Sequence, residues 1–143
     1  MGQLPAVLKL EVETPRGHVL TTSAESVQAP SVRGAFTVLA GHLPLLAALR
    51  CGVLHYKMGA TQHVAAIGPG FVEAEPDRVE ILTDMYATPE AIDLDAVHAE
   101  LAEAVKALAS RGDEPEGPEY SELLREVEWC HARIEACELA EKL

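Results

Sequence analysis

Aromatic side chains make up only 4% of the 143 residues, and Trp129 is the single tryptophan. Cysteine is sparse and odd in number. Cys51, Cys130 and Cys137 form no CxxC pair, which argues against a disulfide framework and for a reducing compartment. Basic residues are few, 11 against 23 acidic, for a net charge of −12. That balance argues against nucleic-acid backbones and anionic lipid surfaces as direct partners. No apolar run approaches the roughly 18 residues of a membrane span. The first residues, MGQLPAVLKLEVE, lack a basic head with an apolar centre and lack Arg/Ser-rich transit character. A cytosolic address is therefore expected.

What remains is a chain that is 48% apolar and long enough for one good core plus an appendage. The charge is divided unevenly. Residues 1–89 hold 8 acidic and 6 basic side chains, a net of −2, whereas residues 90–143 hold 15 and 5, a net of −10. Two chemically different parts follow.

The first part reads as short strands. Leu8, Leu10 and Val12 alternate with Lys9, Glu11 and Glu13, the period of a half-buried strand. Thr14-Pro15-Arg16-Gly17 is a turn. His18 to Thr22 returns, and Glu25 to Ala29 runs out again before Pro30. Between Val27 and Tyr56, Pro30, Gly34, Gly41, Pro44 and Gly52 mark reversals between apolar pieces too short for helices. Gly52–Met58 and Thr61–Ile67 pair about Gly59-Ala60. Gly68-Pro69-Gly70 is a further turn, and Phe71–Glu75 with Arg78–Leu82 makes a last hairpin. Strands at this spacing, without a βαβ rhythm, predict an all-β sandwich over residues 1–87 and no parallel sheet.

The pattern changes at Thr88-Pro89, where Thr88 suits a helix cap and Pro89 its first position. Leu94, Val97, Leu101, Ala104 and Leu108 form one helical stripe, with Gly112 placed to end it. DEPEGP, from Asp113, reads as a loop, and Pro118 opens a second helix. Its stripe is Tyr120, Leu123, Val127, Cys130, Ile134 and Cys137. Residues 88–143 are thus expected to form a C-terminal antiparallel α-helical hairpin that packs on the sandwich or on a partner. Trp129, one residue off the stripe, flanks the helix seam in this reading; the alternative is an aromatic anchor for a partner.

Catalytic patterns are missing. His42 has no nucleophile-elbow sequence near it, and an imidazole bonded to its own loop or to a partner is the simpler meaning. Gly68-Pro69-Gly70 lacks the GK[ST] that cradles phosphate. Cys130, His131 and Cys137 lack zinc spacing, and the two cysteines fall on the apolar stripe as small hydrophobes. A stand-alone enzyme or metal-binding sandwich is the competing class, and no ligand or acid–base constellation supports it.

Pro30, Gly34, Val38, Leu39, Gly41, His42, Pro44, Leu45, Leu46, Leu49 and Gly52 together resemble the central signature of the epsilon subunit of the bacterial F-type ATP synthase. Gly70-Phe71-Val72-Glu73 ahead of Val79-Glu80-Ile81-Leu82 resembles a second pattern of that family. Ser31 and Thr37 stand where glycines are common, and Ala40 where a proline is. The resemblance implies a non-catalytic rotor subunit that couples the catalytic head to the proton-translocating c ring. It places the chain peripherally on the cytoplasmic face of the bacterial inner membrane. It puts Arg33, Gly34 and Ala35 against the c ring, and His42, Leu43 and Pro44 near the gamma subunit. In some members the hairpin, here 88–143, reaches the alpha/beta head and blocks ATP hydrolysis; in some it binds ATP. The corresponding nucleotide pattern here is Ile92-Asp93-Leu94-Asp95-Ala96-Val97, with Arg133 on the second helix. Ala96 stands at the arginine position, and Trp129 where another basic residue is common. With one cation left, ATP is expected to bind the hairpin poorly or not at all, and no other cofactor is expected. Residues 118–143 carry 7 Glu against Arg125, Arg133 and Lys142, which opposes an inhibitory contact with an acidic partner. A purely structural coupling subunit is the alternative.

Overall fold

Alternation becomes strand as soon as the described residues begin; the computed structural model describes residues 7–111 and 117–143. In β1 (Leu8–Thr14), Leu8, Leu10 and Val12 are fully buried and Lys9 is exposed. The remaining strands are β2 (Gly17–Ala24), β3 (Ser26–Ser31), β4 (Gly34–Leu39), β5 (Leu45–Leu49), β6 (Gly52–Met58), β7 (Thr61–Ile67), β8 (Gly70–Glu75), β9 (Arg78–Thr83) and the short β10 (Tyr86–Ala87). Their order is β10-β7-β6-β3-β5-β8-β9-β1-β2, with β4 on β3. β3 changes layers: it pairs with β6 at Ser26–Gln28 and with β5 at Ser31. The two layers enclose a core that includes Leu10, Val27, Leu54, Ile67, Val72 and Ile81.

Two details differ from the sequence reading. Pro30 is not a reversal. It is a buried residue of β3, opposite Ala35. Its missing N–H falls where β3 leaves β6 for β5, so no ladder bond is lost. The reversal comes at Val32-Arg33, and Gly34 takes the positive φ of +120° that closes it. The sheet also contains one parallel pair, β1 with β9. This pairing closes the sandwich between distant segments and needs no crossover helix between neighbours in sequence.

Thr88 and Pro89 open a single 3-10 turn, Pro89–Ala91, and the Thr88 side chain caps nothing. The first long helix, α1 (Leu94–Ser110), starts later, capped by Asp93, whose Oδ1 accepts from Ala96 N at 3.2 Å. Gly112 and most of the DEPEGP loop lie outside the described residues. Pro118 takes the first turn of α2 (Pro118–Glu141), as expected. The predicted stripes meet: Val97 and Ala104 of α1 and Cys130 and Cys137 of α2 are buried.

A second face of α2 was not anticipated. Ala132 and Ala136 are buried against Cys51 and Ala66 of the sandwich, with Val53, Met85, Ala87, Ile92 and Trp129 around them. Trp129, Ala132 and Ala136 are spaced 3 and 4 apart, so they form a stripe of their own. Trp129 therefore belongs to the layer between helix and sheet, which corrects its placement at the helix seam. The small side chains let α2 lie close on β6 and β7.

Candidate partner-docking site

The tip between β3 and β4 is built by one hydroxyl. Ser31 Oγ donates to Gly34 O at 2.7 Å and accepts from Arg33 N at 3.1 Å. Val32 N donates to Ala48 O at 3.0 Å and Arg50 N to Pro30 O at 3.1 Å, so the tip is pinned to β5. Arg33, Gly34 and Ala35 are exposed on this fixed frame.

The loop between β4 and β5 is fixed differently. Gly41 has φ +86°, and its N–H donates to Pro76 O at 2.7 Å. His42 N donates to Leu39 O at 3.0 Å, and the imidazole Nδ1 bonds the Leu43 carbonyl. The ring is thus engaged by its own loop, and Leu43 (79% exposed) and Pro44 project outward. The two loops sit at opposite ends of the six-residue β4, so about 17 Å separates them. They do not form one site.

Ile92, Asp93 and Arg133 do not converge on a ligand. Ile92 packs in the layer between helix and sheet, and Asp93 caps α1. Arg133 Nη2 donates to Glu100 Oε2 at 2.6 Å, and the guanidinium lies 5.2 Å from the centre of the Trp129 ring. The cleft beside Ile92, about 400 Å³, is lined by Glu90 and Glu141 and by no cation among the described residues. Its electrostatics oppose phosphate.

A further feature escaped the sequence reading. Leu46, Phe71 and Leu82 are 73%, 58% and 48% exposed on β5, β8 and β9. Phe71 is paired with Leu82 on one side and with Ala48 on the other, so these residues share the outer face of the sheet. The signal was present in the sequence. Val72 and Ala74 point inward, as do Val79 and Ile81, so period two puts Phe71 and Leu82 outside. An apolar strip of this kind marks a contact surface. Among the described residues, no three His, Cys, Asp or Glu side chains are placed to hold a metal ion, and no helix is long and apolar enough to cross a membrane.

The family model for the beta-sandwich domain of the ATP synthase delta/epsilon chain matches residues 7–89. The chain is 41% identical over 104 residues to an ATP synthase epsilon chain of Desulfosudis oleivorans, covering 72% of this chain and 78% of that one. It is 35% identical over 128 residues to ATP synthase epsilon chain 2 of Syntrophotalea carbinolica, covering 90% and 91%. Among solved structures, a chain of the Euglena gracilis mitochondrial ATP synthase OSCP/F1/c-ring assembly superposes with a TM-score of 0.77 at 23% identity, over 96% of this chain and 84% of that one. That likeness speaks for the fold.

Proposed function

The chain belongs to the family of ATP synthase delta/epsilon chains, and from that premise we propose that it is a non-catalytic rotor subunit coupling the catalytic head of the synthase to the proton-translocating c ring. The observation that carries this reading is the outward-facing strip of Leu46, Phe71 and Leu82 on a sandwich whose loops are pinned by backbone bonds. A rigid body with an apolar contact face transmits torque through contact. In this reading the Arg33–Ala35 tip meets the c ring, and the His42–Pro44 loop meets gamma. The subunit sits peripherally on the cytoplasmic face of the bacterial inner membrane, held there by its partners. Binding of the purified chain to the gamma subunit tests the proposal. Stoichiometric binding is expected, and its absence at micromolar concentration overturns the reading.

The hairpin 88–143 has two readings, an inhibitor of ATP hydrolysis or a brace. The second is favoured by one observation: Ala132 and Ala136 of α2 are buried against Cys51 and Ala66 of the sandwich.

A further inference from the structure

Thr83 closes β9 and is buried, only 3% exposed. Its Oγ1 lies 3.0 Å from Gly68 O and 3.1 Å from both Pro69 O and Met85 O, and Met85 N lies 3.3 Å from it. A hydroxyl has one proton to donate. Pro69 O already accepts from Asp84 N at 3.2 Å, and Met85 O from Gly68 N at 3.0 Å. Gly68 is buried, and its carbonyl accepts no backbone bond among the described residues. The Thr83 proton therefore goes to Gly68 O, which would otherwise be left unpaired. Met85 N–H donates to the same Oγ1, so one hydroxyl bridges the β7–β8 turn and the β9–β10 link.

This bridge stands between two surfaces. Leu82, one residue back, is exposed on the outer face of β9. Met85, two residues on, packs in the layer under α2 with Trp129, Ala132 and Ala136. The corner around the bridge has no slack. A Cβ built on Gly68 stands 2.8 Å from Met85 Cε, and one built on Gly70 meets the Leu82 carbonyl. β10, which carries the chain on toward the hairpin, has only two residues paired to β7, so its ladder alone fixes little of the link. A displacement at the end of β9 therefore carries Met85 with it, and the seat of α2 follows Met85.

We infer that the Thr83 hydroxyl is a positioning group that couples the outer face of β9 to the seat of α2, so that a partner held against Leu82 tightens the hairpin on the sandwich. α2 is seated on Cys51 and Ala66, beside β6 and on β7, whereas Leu82 belongs to β9 in the other layer. The link through Thr83 is the short covalent route between them. The coupling is reciprocal, as a free energy shared by two binding events must be: a lifted hairpin loosens the grip on the partner. The inference rests on the reading that a stalk partner meets the outward strip, and it adds what that contact does to residues 88–143.

The test measures amide hydrogen exchange by mass spectrometry in the full chain, with and without a saturating amount of the purified gamma subunit of the same synthase. Gamma is expected to slow exchange in α2 about fivefold. Thr83→Val keeps the shape and loses the hydroxyl; gamma is expected to bind it and to leave α2 exchange unchanged. Thr83→Ser keeps the hydroxyl and is expected to keep the response. If gamma binds the unmodified chain but does not slow α2 exchange, or slows it equally in Thr83→Val, the coupling is overturned while the rotor reading stands. If gamma does not bind the unmodified chain, the rotor reading falls and the inference with it. Should Thr83→Val fail to fold, Met85→Ala interrupts the same path beyond the hydroxyl. A lost response in Met85→Ala, with Thr83→Ser responding, supports the inference, and a full response in Met85→Ala overturns it.

Discussion

Arg133 of α2 reaches across the helix seam to Glu100 of α1, with Nη2 2.6 Å from Oε2. The same side chain stacks on Trp129, and its Nε donates to the Trp129 carbonyl at 3.4 Å. One residue therefore ties α1, α2 and the layer facing the sheet together. Arg133 is 15% exposed and Glu100 46%, so the pair is partly screened and contributes about 1 kcal/mol at most. Arg133→Ala is expected to speed amide hydrogen exchange in α1 and to leave exchange in the sandwich strands unchanged. Calorimetry with ATP is expected to be flat for both the unmodified chain and the variant. ATP binding that disappears in Arg133→Ala would return this residue to a nucleotide site.

Ala136 is fully buried where α2 meets Cys51 and Ala66. The close approach leaves no room for a longer side chain. Ala136→Leu overpacks the layer and is expected to cost about 1–3 kcal/mol. The loss should appear as faster proteolysis between residues 88 and 93, because the helices lift while the sandwich keeps its own core. Ala136→Ser is expected to have a much smaller effect, which separates size from polarity.

Much of this architecture was legible in the residues. Leu8, Leu10 and Val12 announce β1 by period two, and Leu94, Val97, Leu101 and Ala104 announce α1 by period 3.6. Pro30 departs from the expected reversal because a proline inside a strand carries the local signature of a break. Only the tertiary change of partner from β6 to β5 makes it harmless. The second face of α2 was missed because Ala132 and Ala136 are too small to announce a stripe. Arg133 carried a family expectation, but its partner Glu100 lies 33 residues away and no local pattern pairs them. The strip at Phe71 and Leu82 is readable from alternation, although each residue by itself has the composition of core.

Gly70 was expected to be a turn residue, yet it begins β8 opposite Thr83. A Cβ built there stands 1.9 Å from the Leu82 carbonyl oxygen and 2.9 Å from Thr83 Cα. Both obstacles are backbone, so no rotamer change relieves them. Gly70→Ala is expected to destabilise the chain by at least the roughly 1–3 kcal/mol of an overpacked site. A urea titration checks this, and a midpoint equal to that of the unmodified chain would refute the strand geometry at Gly70.

Burial pushes the Cys51 thiol up to about 11, with Glu128 adding to the shift and Arg125 and Arg50 opposing it. Burial likewise pushes the Tyr86 hydroxyl up to about 12, helped by Tyr56 and Glu90. In the unfolded chain these groups titrate near about 8.5 and about 10. Both folded values are raised, so their stabilisation is fully present below the unfolded values. It is lost as pH climbs through the folded ones, because the unfolded chain sheds protons that the folded chain keeps. The urea midpoint is therefore expected to fall from about pH 8.5 upward. In Cys51→Ala the early part of that decline is expected to shrink but not vanish, because burial also pushes up the Cys130 and Cys137 thiols, while the later part, from Tyr86, remains. A decline of the same shape in both proteins would remove Cys51 from the account.

The hairpin's role turns on what it would give up by leaving the sandwich. Ala132 and Ala136 would lose Cys51 and Ala66, and residues 118–143 would carry seven Glu against Arg125, Arg133 and Lys142 toward any acidic surface. Both terms oppose an extended inhibitory state. ATP hydrolysis by the assembled enzyme is accordingly expected to be unchanged when residues 88–143 are deleted. Deletion also uncovers Cys51 and Ala66, so a variant that keeps the hairpin is needed beside it. Arg133→Ala with Glu100→Ala loosens α1 from α2 without removing either. A brace predicts unchanged hydrolysis in both enzymes. An inhibitor that acts by extending predicts opposite signs: hydrolysis rises on deletion and falls on loosening. That pair of opposite responses would establish inhibition and end the reading of the hairpin as a brace.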